Sequence, residues 1–145
     1  MAAASAQEMT GNSSSNGVNV RRRAAGGRVA RRALVPLAQG AYYAASGLWP
    51  ILHLRSFEAV TGPKRDHWLV RTIGGLITAV GAALISEGLD PQDRAPTRVL
   101  GVASALALGG AGAYYALRGR ISKVYLADAA VEAAIVAAWL VRRRE

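Results

Sequence analysis

Residues 33–54 read ALVPLAQGAYYAASGLWPILHL, 22 residues without an Asp, Glu, Lys or Arg. A helix of that length crosses about 30 Å of hydrocarbon. Three further apolar runs follow. Residues 68–85 are 18 long with one charge, Arg71; residues 99–117 are 19 long with none; residues 124–141 are 18 long with two acids, Asp128 and Glu132. Runs of 18 also suit buried helices of a soluble protein. Four such runs between residues 33 and 145 would leave almost no polar face to meet water. Their many Gly and other small residues suit membrane helices better. The expected fold class is therefore all-α, a four-helix antiparallel transmembrane bundle with spans near 33–54, 68–85, 99–117 and 124–141.

Composition agrees. The chain has 145 residues, enough for one domain, and 52% of them are hydrophobic, too many for a chain disordered throughout. It has no cysteine, which excludes a disulfide scaffold, a thiolate metal site and a cysteine nucleophile. The net charge of +9 is uneven: residues 1–32 carry six Arg and one Glu, net +5, and residues 33–145 carry the remaining +4. A basic chain invites a nucleic-acid reading. Here, though, the arginines cluster outside apolar spans, as topology requires, rather than forming a surface on a soluble domain. No nucleic-acid partner is expected.

Residues 1–20 are mostly Ala, Ser, Asn, Gly and Gln and bury too little to offset ordering entropy. Residues 1–32 are thus expected to be a disordered, Arg-rich tail, and 33–145 the transmembrane domain. Arg31-Arg32 before an apolar run faintly suggests a twin-arginine signal, but the run exceeds the ~7–15 residues of a signal core and lacks a clean Ala-x-Ala end. The first span is read as retained. With the N-terminus inside, the inner side holds eleven Lys and Arg and the outer side seven. That bias places both termini in the cytoplasm of a multi-pass cell-membrane protein. The loops 55–67, 86–98 and 118–123 are short, which makes neighbouring spans antiparallel. Thr61-Gly62-Pro63 reads as a turn with Pro63 at the first position of the next helix, and Asp90-Pro91 and Ala95-Pro96 break the chain between the second and third spans.

Small residues recur at spacing four: Gly74, Thr78, Ala82 and Ser86 in the second span, Gly101, Ala105, Gly109 and Ala113 in the third, Ala130, Ala134 and Ala138 in the fourth. Such faces let helix backbones approach closely in lipid. They serve contacts within one chain, with a second copy or with another membrane protein. The other expected partner is the bilayer itself.

Asp128 and Glu132 share one face of the fourth span, ~6 and ~12 Å below Val124. An acid so deep costs at least ~2.5 kcal/mol on insertion scales and normally faces a bundle interior. Arg71 has nearly the depth of Asp128, and Thr78 that of Glu132. Gln39, Ser46 and His53 form a stripe on the first span, with Ser46 again near Glu132 in depth. The candidate intramembrane polar cluster is Arg71, Asp128, Glu132, Ser46, His53 and Thr78, with a tyrosine of the third span, Tyr114 or Tyr115, in reach. One reading is structural: an Arg71–Asp128 ion pair and hydrogen bonds that set helix register. The other is a polar cavity for a proton, a cation or a small solute. Trp49, Trp68 and Trp139 read as interface anchors, and Glu87 and Asp90 as hydrated. His53 and His67 lack ligand-like spacing, so no metal or haem is expected, nor any other cofactor. No nucleophile–base arrangement is visible, so no enzyme activity is expected.

The stretches WPILHLRSFEAVTGPKRDHWLVRTIG (49–74) and RISKVYLADAAVE (120–132) resemble a family of small bacterial four-span integral membrane proteins of uncharacterised activity. The resemblance covers residues 33–141 and implies a fold and a membrane location. Small multidrug transporters also have four spans, but their essential acid lies in the first, which here has none. A structural or accessory membrane component is the expected function, with a small transporter or permeation unit using Asp128 and Glu132 as the alternative.

Overall fold

The computed structural model describes residues 32–92 and 94–142, together with Gly27. The chain divides into two units, Met1–Arg31 and Arg32–Glu145, and every element below belongs to the second. The tail expected to be disordered lies outside the described residues, apart from Gly27 and Arg32. Among the described residues all regular structure is helical: α1 over residues 32–52, α2 over Leu54–Thr61, α3 over His67–Leu89, α4 over Ala95–Leu117 and α5 over Val124–Arg142. Three of them, α3, α4 and α5, are long and apolar enough to cross a membrane.

The connections depart from expectation at the first loop. Residues 55–67 are not all loop, because α2 occupies 55–61. His53 leaves helical geometry (φ −146°, ψ 72°), and its Nδ1 accepts the Ser56 N–H at 3.2 Å, capping α2. Gly62, at φ 85°, ends α2 in a conformation that side chains resist. Pro63 does not open the next helix; α3 begins at His67. The Glu58 carboxylate holds the intervening chain out of helix by accepting the Lys64 N–H at 2.9 Å and meeting His67 Nε2 at 3.1 Å. At the other end α3 runs to Leu89 before Asp90-Pro91, and Pro96 lies in the first turn of α4. Glu87 is buried rather than hydrated. It accepts the Gln92 N–H (3.0 Å) and the Thr97 hydroxyl (3.4 Å), with Arg94 at 3.9 Å.

Glycines bring two helix pairs close together. α1 lies against α3 through glycines: a Cβ added at Gly40 would fall 2.7 Å from the Gly81 carbonyl, and one at Gly81 would fall 2.7 Å from the Gly40 carbonyl. α5 lies along α4, where a Cβ at Gly109 would meet the Glu132 side chain at 2.7 Å. The small-residue faces are real but drift from strict spacing four. Four residues turn a helix about 40° too far, so a straight contact stripe must alternate fours and threes. α3 accordingly buries Gly74, Gly81 and Gly88 and leaves Ala82 and Ser86 exposed. α4 buries Gly101, Ala105, Gly109, Gly112 and Ala116. On α5, Ala130 and Ala134 face outward.

The polarity of the bundle is inverted relative to a water-soluble one. Its most enclosed side chains include Gln39, Tyr43, Glu132 and Trp139. Its exposed ones include Leu76, Leu106, Leu117, Val131 and Leu140. Only 17%, 28% and 11% of the most apolar stretches of α3, α4 and α5 are buried inside the protein. Apolar side chains outside and polar ones inside is the arrangement that hydrocarbon, not water, stabilises.

Candidate functional site

Four positions on α1, Gln39, Tyr42, Tyr43 and Ser46, follow the i, i+3, i+4, i+7 pattern of one helix face. The first three turn toward α4 and α5. Tyr42 donates its hydroxyl to Asp128 Oδ1. Tyr43 donates to Glu132 Oε2 at 2.9 Å, and both side chains are about 1% exposed. Two turns further along α5, Trp139 Nε1 donates to Gln39 Oε1 at 2.7 Å. Gln39 Nε2 then donates to the Gly101 carbonyl of α4 at 2.8 Å. Ser104 donates back to the Leu100 carbonyl at 2.6 Å. A single ladder of side chains thus ties α1 to α5 at three heights and to α4 at one.

The glycines of α4 make this possible. A Cβ at Gly101 would come 2.8 Å from the Trp139 ring, and Gly112 lies beside Asp128 Oδ2. The small-residue face of α4 therefore seats the large polar-tipped side chains of α5, rather than a second small-residue face. Buried polar groups of this kind are tolerated because each finds a partner.

Of the residues expected in the cluster, Asp128 and Glu132 are in it and four lie elsewhere. Arg71 is exposed on α3, and no Arg71–Asp128 ion pair forms among the described residues. Equal depth fixed its height but not its neighbour: α3 packs on α1 and α5 on α4, and the hydroxyl reaching Asp128 comes from Tyr42. Thr78 donates to the Gly74 carbonyl of its own helix at 2.8 Å, against Gly47. Ser46 likewise donates to the Tyr42 carbonyl at 2.8 Å. His53 is an exposed cap. The tyrosines of α4, Tyr114 and Tyr115, are exposed and meet edge to face. Trp139 is no interface anchor but part of the core, 2% exposed. Tyr42, Tyr43 and Trp139 were the residues missed. The signal for the tyrosines was their phase with Gln39, and for Trp139 its spacing of seven from Glu132.

Chemically, the site presents two carboxyl groups on one helix face, each receiving a tyrosine hydroxyl. No Lys or Arg forms an ion pair with either among the described residues. Among the described residues no three of His, Asp and Glu converge as a metal site would need. Comparison with known proteins finds no family model, no curated protein and no solved structure that matches this chain.

Proposed function

We propose that the chain is a four-span integral membrane protein with a structural or accessory role, its polar cluster holding α1 in register with α4 and α5. The inverted polarity carries this reading: Glu132 is 1% exposed while Leu76 is 62% and Leu117 77% exposed. α1 is the fourth span in this proposal. Its 21 described residues reach about 31 Å as a helix, and its polar side chains are taken up by the bundle. The distribution of Lys and Arg favours cytoplasmic N- and C-termini in the cell membrane. The likeness of the 49–74 and 120–132 stretches to small bacterial four-span proteins belongs to the same reading. The exposed Ala130 and Ala134 face of α5 is where a second membrane helix would dock. No reaction is assigned.

One observation favours a second reading, a permeation unit for protons or small cations. Two carboxyl groups lie together, and among the described residues no Lys or Arg forms an ion pair with either; amides would have given the same hydrogen bonds at lower cost. Flux in reconstituted vesicles separates the two. The structural role predicts proton and monovalent-cation flux equal to that of empty vesicles, for wild type and Glu132→Gln alike. A wild-type flux abolished by Glu132→Gln would replace it with the permeation role.

A further inference from the structure

The 62–66 connection between α2 and α3 and the 118–123 connection between α4 and α5 border a depression whose lining includes Thr61, Lys64, Arg65, Arg120 and Ser122, and no Asp or Glu. Lys64 is held at its wall: Nζ donates to the Thr61 carbonyl at 2.9 Å and lies 5.2 Å from the centre of the Tyr125 ring. Arg65 and Arg120 are exposed, and neither forms an ion pair among the described residues. Of the acids nearby, Glu58 is engaged by the Lys64 N–H and His67, and Asp66 precedes α3. Three cationic side chains therefore converge on a concave surface that has no carboxylate of its own.

Its position narrows the ligand. α3 begins, α4 ends and α5 begins beside this depression, so it marks one common end of the three apolar helices. The first turn of α3 and the last turn of α4 carry exposed aromatic side chains, Trp68 (69%), Tyr114 (51%) and Tyr115 (46%). Arg118 lies over the Tyr114 ring, 4.8 Å from its centre. Exposed Trp and Tyr at helix ends mark headgroup depth, and an anion bound just above them has its acyl chains alongside apolar helix.

We propose that this depression binds the phosphate of an anionic phospholipid headgroup, with Arg65 and Arg120 as its charged donors and Lys64 as a fixed third charge. The exposed aromatics below favour a lipid over a soluble phosphate. The inference rests on the membrane placement of α3, α4 and α5.

Native mass spectrometry of the full, detergent-extracted chain tests it, with phosphatidylglycerol, phosphatidylcholine and inorganic phosphate as probes. Phosphatidylglycerol should be retained over phosphatidylcholine by on the order of tenfold. Arg65→Gln and Arg120→Gln should each cut that preference about fivefold, and the double variant should abolish it. Arg55→Gln removes one charge from the same end outside the depression and should keep it. Equal retention of the two lipids, or an equal loss in Arg55→Gln, would overturn the site in favour of unspecific charge attraction. Displacement by inorganic phosphate would make it a soluble-anion site instead. Release of the chain from membranes by carbonate, without detergent, would overturn the membrane placement itself, a result distinct from any loss of lipid selectivity.

Discussion

Glu132 lies near mid-helix on α5 with the Tyr43 hydroxyl at 2.9 Å and Gly109 against its Cβ. Removing that hydroxyl leaves a buried carboxyl short of a donor. Tyr43→Phe should therefore cost about 1 kcal/mol, the scale of hydrogen bonds between membrane helices. Glu132→Gln keeps an acceptor and should cost less. In a double-mutant cycle, Tyr43→Phe with Glu132→Leu should cost less than the sum of the two, because coupled sites do not add. Unfolding in mixed micelles measures all three, and strict additivity would show that the bond contributes nothing. Arg71→Leu, at an exposed position, should stay within about 0.5 kcal/mol. The two acids were legible in the sequence because a charge inside an apolar run is conspicuous. Their partners were not. A tyrosine is ordinary in such a run, and depth along a helix says nothing about which helix stands beside it.

At the scale of elements, α1 and α3 touch backbone to backbone at Gly40 and Gly81, and again at Gly47 and Gly74. Gly81→Val should force the helices apart, costing about 1–3 kcal/mol as overpacking does. Ala82→Val, one residue on and exposed, should cost next to nothing. Thermal unfolding in detergent compares them, and an equal effect of the two would contradict the assigned face. Apolar runs and their Pro and Gly punctuation placed the starts of α3, α4 and α5 within four residues of those found. The α2 helix was hidden because its eight residues, LRSFEAVT, include two charges and read as a loop between spans. Its cap depends on a histidine ring rather than on Ser, Thr, Asp or Asn. The spacing-four ladders were legible as composition. Their drift around the helix is a property of 3.6 residues per turn, and it moved Ala82, Ser86, Ala130 and Ala134 off the contacts.

For the whole molecule, the central proposal is that α1 crosses the bilayer with α3, α4 and α5 and is fastened to them by its polar face. That claim has a direct consequence for sidedness. An even number of crossings puts residues before α1 on the same side as the α3–α4 connection, and opposite the α2–α3 and α4–α5 connections. The chain has no cysteine, so single cysteines report position without background. The decisive measurement is labelling by a membrane-impermeant thiol reagent of Ser14→Cys, Glu58→Cys, Gln92→Cys and Arg120→Cys in intact cells and in inverted vesicles. The account predicts that Glu58→Cys and Arg120→Cys label in cells, and that Ser14→Cys and Gln92→Cys label only in inverted vesicles. Labelling of Ser14→Cys on the same side as Glu58→Cys would contradict it, because α1 would then not cross the membrane.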